Sequence, residues 1–162
     1  MMFSPELIAL AADVLEKARA RGLKIATAES CTGGLISALL TEISGSSDVF
    51  ERGFVTYSNQ AKQDLLGVPE ELLKSHGAVS AAVARAMAQG ALARSGAQVT
   101  VAVTGIAGPG GGSADKPVGL VHIAAARGGD VRNEERRFGD PGRTEVRLKT
   151  VEAALRMLDA ML

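Results

Sequence analysis

Residues 24–43 read KIATAESCTGGLISALLTEI. Lys24 to Ala28 is short and partly β-branched, which predicts a strand. It runs directly into the small and polar ESCTGG, after which Leu35, Ile36, Leu39, Leu40 and Ile43 recur at helical spacing. The order strand, small-residue turn, helix is the signature of an α/β unit, and the flanking sequence repeats it. Upstream, Ser4 and Pro5 supply an N-cap and a first helical position for a helix whose apolar stripe is Leu7, Ile8, Ala11, Val14, Leu15 and Ala18, ending near Gly22. Downstream, GFVTYS (53–58) reads as a second strand, Asn59 as the cap of a helix closed by Gly67, and Pro69 as the start of a further short helix. Ser80 caps an alanine-rich helix reaching to Ser95, in which Gly90 either weakens the helix or permits close packing. Val99 to Thr104 is an uninterrupted apolar and β-branched run of the kind found in buried strands. A glycine-rich loop follows over residues 105–119, then the strand LVHIAAA (120–126) and the polar VRNEERRF (131–138), which reads as an exposed edge strand. Asp140-Pro141 starts a last helix with the stripe Val146, Val151, Ala154, Leu155, Leu158 and Leu162. These elements predict a single three-layer α/β/α domain over residues 1–162, with a mixed, mainly parallel sheet of about five strands whose parallel pattern breaks near the glycine-rich loop.

The 162 residues are 46 % apolar and 22 % charged, the profile of a packed domain. Aromatics are only 3 %, so the core is built from Ala, Val, Leu and Ile, and base stacking on aromatic platforms is not expected. Eighteen basic side chains balance eighteen acidic ones, which leaves no positive field for a nucleic-acid backbone. The lone Cys31 excludes an internal disulfide and suits a reducing cytoplasm. With His76 and His122 far apart it makes a poor zinc set, so neither metal nor cofactor is expected. The N-terminal stretch carries Asp13 and Glu16 and follows no basic segment, so neither a signal peptide nor a membrane span is expected there.

Three segments carry candidate chemistry. In TAESCTGG (27–34) a strand ends in hydroxyl and thiol groups beside unpaired backbone N–H donors, a place that can hold an oxyanion. Ser30 is then a nucleophile and the amides of Cys31, Thr32, Gly33 or Gly34 its oxyanion donors; Ser30 reads equally well as an ordinary N-cap. His76 and His122 both read as structural, which leaves Lys62 in TYSNQAKQ (56–63) as the base, with Tyr57 to relay the proton or fix the amine. A free lysine is deprotonated only about once in 2,500 at neutral pH, so Lys62 serves as a base only if burial destabilises its ammonium by roughly 4 kcal/mol; otherwise it is a surface lysine. The second segment is VTGIAGPGGGS (103–113), whose amides can wrap an anion although it is neither a Walker motif nor a G-x-G-x-x-G turn, and which composition alone also reads as a mobile loop. The third is GRTEVR (142–147), where Arg143 and Arg147 share one helix face and either grip a phosphate or stand solvated beside Glu145.

Together TAESCTGG, GSSDVFERGFVTYSNQAKQDLLGV (45–68), HGAVS (76–80), TGIAGPGGGSADKPVG (104–119) and FGDPGRTEVR (138–147) occur in an order that resembles the CinA C-terminal domain family over nearly the whole chain. The resemblance implies nicotinamide-nucleotide amidohydrolase activity: conversion of nicotinamide mononucleotide to nicotinate mononucleotide and ammonia in pyridine-nucleotide salvage, without a redox step. By similarity Ser30 is the nucleophile, Lys62 the base and Tyr57 the tyrosine of the same constellation. Thr104, Gly105, Ala107, Gly108 and Arg143 fall at nucleotide-contacting positions, joined by Thr32, Gly33, Gly34 and Arg147 from the local reading. Two alternatives stay open: a non-catalytic nucleotide-binding adaptor linked to competence or DNA damage, and Cys31 as the nucleophile, its thiolate favoured at a helix N-terminus. The expected partner is a small-molecule nucleotide, with neither nucleic acid nor membrane, and the exposed edge strand leaves self-association as a further expectation.

Overall fold

The structure, a computed structural model, describes residues 2–162. Helix α1 spans Pro5–Ala20, with Ser4 Oγ accepting the Leu7 amide at 3.2 Å. Strand β1 (Ile25–Glu29) leads into α2 (Leu35–Glu42), a 3₁₀ turn over Ser46–Asp48, and β2 (Phe50–Val55). Three helices follow: α3 (Asn59–Leu66), α4 (Glu70–His76) and α5 (Ala81–Ala93). The chain ends with β3 (Val99–Gly105), β4 (Leu120–Arg127), β5 (Asp130–Arg137) and α6 (Arg143–Met161).

The sheet runs in the order β2-β1-β3-β4-β5. β1 pairs parallel with both β2 and β3, whereas β3 with β4 and β4 with β5 are antiparallel. Four strands therefore point one way and β4 alone opposes them, the reversal falling at the glycine-rich loop as the sequence predicts. α1, α2 and α6 pack on one face through Ile25, Val99, Val101, Val103, Val121 and Ile123; α3, α4 and α5 cover the other through Ala28, Ala102, Ala124 and Ala126. The buried apolar strand residues on the second face are all alanine, which is how a core poor in aromatics closes: small side chains let α5 sit near the strands. Gly90 of α5 lies against α3, where an added Cβ would stand 2.0 Å from the Leu66 carbonyl oxygen, so close packing is the correct reading of that glycine.

Three boundaries differ from expectation. The second strand is Phe50–Val55, not GFVTYS, because the chain leaves the ladder after the Thr56 amide bonds to Glu29 O and turns its carbonyls toward Lys62. Ser58, not Asn59, caps α3, its Oγ accepting the Ala61 amide at 3.0 Å. The last helix begins at Arg143 rather than at Asp140-Pro141, since Gly142 at φ 111° holds a conformation outside the helical region. No helix among the described residues is long and apolar enough to cross a membrane.

Candidate active site

Side chains alternate across a strand, and in β1 the alternation sorts the chemistry. Ile25, Thr27 and Glu29 face the α1/α2/α6 layer, with Thr27 and Glu29 bonded to Ser37 of α2, while Ala28 faces α3–α5. Ser30 continues the pleat on the α3 side and meets Lys62. Lys62 Nζ lies 3.0 Å from Ser30 Oγ, 2.9 Å from Thr56 O and 3.2 Å from Tyr57 O. The lysine is 1 % exposed and Ser30 8 %. Burial lowers the Lys62 pKa from the ordinary lysine range, opposed only in part by the neighbouring Cys31. As an ammonium Lys62 donates to all three oxygens; once it loses a proton its two remaining N–H groups can stay on the carbonyls, and the lone pair can then take the Ser30 hydroxyl proton. Among the described residues no carboxylate lies within ion-pair distance of Lys62.

Glu29, which sequence reading passed over, anchors the turn. Its fully buried carboxylate accepts five hydrogen bonds: from Thr32 Oγ1 at 2.6 Å, from the amides of Gly34, Ile36 and Ser37, and from Ser37 Oγ at 2.8 Å. This satisfies the amides at the start of α2, whose N-cap position is Gly34 at φ 107° with no side-chain cap. Ser30 is therefore not the cap. A glutamate ending a buried strand just before small polar residues was the available signal.

A cavity of about 260 Å³ opens beside Ser30 and Lys62, just below the range of pockets that take small molecules, roughly 300–1,000 Å³. Of the expected residues, Ser30, Lys62, Tyr57, Thr104, Gly105, Ala107, Gly108 and Arg143 line it; Cys31, Asn59, Ala78, Val79, Ile106, Gly110 and Gly111 complete the wall. Thr104 Oγ1 donates to Ala78 O at 2.9 Å and so joins the glycine-rich loop to the segment before α5. Arg143 bridges the mouth, donating to Gly108 O at 2.7 Å and to the Tyr57 phenol at 3.3 Å. Tyr57 thus meets Lys62 through its carbonyl, while its phenol, in a residue 64 % exposed, meets the arginine.

Thr32, Gly33, Gly34 and Arg147 are not among the lining residues. The Gly33 amide donates to Ser30 O and the Gly34 amide to Glu29, so neither is free for a ligand. Arg147 donates to Cys31 O at 3.1 Å and Thr32 O at 3.0 Å, beneath the turn. The Cys31 thiol is pushed up to about 12 by burial, which keeps it protonated at neutral pH and removes the thiolate that a cysteine nucleophile requires. His122 is buried in β4, its pKa lowered by burial, with Nε2 3.9 Å from Glu135 and outside the cavity wall. Among the described residues no group of three or more His, Cys, Asp or Glu is placed to hold a metal ion.

Residues 7–162 match the family model of the CinA C-terminal domain. A CinA-like protein of Syntrophobacter fumaroxidans is 55 % identical over 143 residues, covering 88 % of this chain and 34 % of its own length. A CinA-like protein of Akkermansia muciniphila is 63 % identical over 113 residues, covering 69 % of this chain and 27 % of its own. The chain spans about a third of the length of the curated relatives it matches. Among solved structures, the competence/damage inducible protein CihA from Agrobacterium tumefaciens superposes with a TM-score of 0.96 at 58 % identity, covering 98 % of this chain and 96 % of that one. A CinA superfamily protein from Escherichia coli gives a TM-score of 0.92 at 33 % identity, with 99 % and 94 % covered.

Proposed function

The chain belongs to the CinA C-terminal domain family, and from that premise we propose that it is an amidohydrolase that converts nicotinamide mononucleotide to nicotinate mononucleotide and ammonia. The observation that carries this reading is the contact of a buried lysine, stripped of carboxylate partners, with a serine hydroxyl at 3.0 Å on the wall of a cavity. Ser30 Oγ attacks the carboxamide carbon as its proton passes to Lys62 Nζ. The same proton then goes to the departing nitrogen, the C–N bond breaks and ammonia leaves, with the acyl group held as an ester on Ser30. Water, deprotonated by Lys62, cleaves that ester, releases the acid and restores both side chains.

The substrate's chemistry suits the wall. Its pyridinium ring is cationic, so its approach further disfavours the ammonium form of Lys62. Its phosphate meets Arg143 at the mouth and the glycine-rich loop beside it.

The test is ammonia release by the purified protein from nicotinamide mononucleotide, nicotinamide riboside and nicotinamide in parallel. Turnover of the mononucleotide is expected to exceed that of the others, and Ser30→Ala to reduce kcat by roughly a thousandfold or more. Full turnover in Ser30→Ala refutes the nucleophile. Tight binding of the mononucleotide with no ammonia refutes the hydrolysis and favours the adaptor.

A further inference from the structure

We infer that Arg147 is a positioning residue for the oxyanion donor of the reaction proposed above, on which this inference rests. The backbone from residue 30 to residue 37 shows why. The Ser30 amide donates to Val103 O, Gly33 to Ser30 O and Leu35 to Thr32 O, while Gly34, Ile36 and Ser37 donate to Glu29. Of the two amides that follow Ser30, that of Thr32 has no acceptor among the described residues and that of Cys31 meets only its own thiol. Cys31 lines the cavity and Thr32 does not, so the Cys31 amide is the donor left for an oxygen that gains negative charge as Ser30 attacks.

Their direction is set by their neighbours. In a trans peptide the C=O and N–H point in opposite senses. The Ser30 carbonyl is held inside the turn by the Gly33 amide at 3.0 Å, so the Cys31 N–H points out of it, and Cys31 lines the cavity. The Cys31 carbonyl is held by Arg147 Nε and the Thr32 carbonyl by Nη2, so the Thr32 N–H turns away from the guanidinium. One planar fork thus fixes two consecutive peptides. Arg147 does not line the cavity, so it acts through the turn rather than on a ligand. Arg143, at the start of the same helix, reaches the mouth instead. The two arginines therefore divide the work: one grips a bound ligand, the other holds the apparatus that reacts with it.

The experiment measures steady-state kinetics on nicotinamide mononucleotide for wild type, Arg147→Gln and Arg147→Lys, together with the rate at which a fluorophosphonate phosphonylates Ser30 with loss of fluoride, followed by intact mass. Arg147→Gln is expected to lower kcat about 10- to 100-fold with KM within about threefold of wild type, and to slow labelling in step. Arg147→Lys recovers part of both, since an ammonium can donate to the carbonyls without the fork; should the Gln variant fail to fold by circular dichroism, the Lys variant carries the test. Wild-type kcat in both variants overturns the inference, as does a loss expressed wholly in KM. A wild type that turns over and labels while the variants match it sinks this inference alone; a wild type that does neither sinks the hydrolysis and the inference together.

Discussion

Replacing Glu29 by glutamine changes almost no volume, yet it removes the charge on which the turn carrying Ser30 is built. Oε1 takes Thr32 Oγ1 and the amides of Gly34 and Ile36; Oε2 takes the amide and hydroxyl of Ser37. A glutamine keeps one acceptor oxygen. In its better orientation the new NH₂ sits on the Ser37 side, where the hydroxyl can turn to accept from it because its own proton can be redirected to Thr27 Oγ1, 2.8 Å away. The Ser37 amide cannot adapt and is left as a buried donor without a partner, which costs about 1–3 kcal/mol. The three remaining bonds fall from charge-assisted to neutral strength, partly offset by no longer burying an anion. A net loss of about 3 kcal/mol follows, which for a chain of this length lowers Tm by roughly 6–12 °C. Because the turn loosens at the residue before Ser30, kcat is expected to fall at least about tenfold as well. Calorimetry of Glu29→Gln at pH 7, read beside its kcat and KM, checks both numbers. A Tm within about 2 °C of wild type with unchanged kcat refutes the claim that this carboxylate organises the turn.

Four further outcomes are expected. Lys62→Met abolishes turnover and also flattens the pH dependence of stability. In wild type the folded lysine binds its proton less readily than the unfolded one, so the unfolded chain holds more protons between the lowered folded pKa and about 10.4, and stability rises with pH across that window; urea midpoints from pH 7 to 10 with the same slope in both proteins refute this. Cys31→Ala retains activity, and native protein resists iodoacetamide at pH 8 because its thiol stays protonated; rapid labelling with parallel loss of activity contradicts it. Gly90→Ala drives a Cβ onto the Leu66 backbone and destabilises by about 1–3 kcal/mol or more, and because α3 carries Lys62, turnover falls with it; a neutral effect on Tm refutes the close-packing account. Arg143→Gln raises KM for the mononucleotide by about tenfold with little change in kcat, which a comparison with the phosphate-free riboside checks: the riboside's KM is expected not to move.

Most of the architecture was legible in the sequence because periodicity reports directly on burial. The stripe Leu7-Ala11-Val14-Leu15-Ala18 and the runs 99–104 and 120–126 fall where the structure buries them. The misplaced end of β2 has a plain cause, that backbone carbonyls leave no trace in a sequence. Nothing in GFVTYS announces that Thr56 and Tyr57 give their carbonyls to an amine, nor in GRTEVR that Arg147 faces two carbonyls rather than a phosphate. Ser30 and Lys62 were legible as residue types in the right motifs. Tyr57 was legible as part of the site, but which of its two oxygens meets Lys62 was not, since that depends on how the chain leaves β2.

The parity of β1 decides whether the site can work at all. A slip of one residue along a strand exchanges the two faces of the sheet. Shifted in that way, Glu29 would face α3 and Ser30 would face α2. Lys62 would then meet a carboxylate in a dry environment, the ammonium would be stabilised, and no base would remain at neutral pH. The actual register, with Glu29 opposite Val103 of β3 and Val55 of β2, sends the acid to the amides of α2 and leaves the amine with only a hydroxyl and two carbonyls. The Glu29 carboxylate and the Lys62 amine are thus kept apart on opposite faces of the sheet. That separation supplies both requirements of the dyad: a turn rigid enough to aim the serine and an amine free of any counter-ion. Adding an acid on the other face while keeping Glu29 isolates the second requirement. An acidic residue placed on the Lys62 side, as in Ala28→Asp, should raise the onset of kcat toward higher pH, and an unchanged pH–rate profile in a folded Ala28→Asp protein would show that the lysine is tuned by something other than its lack of a charged partner.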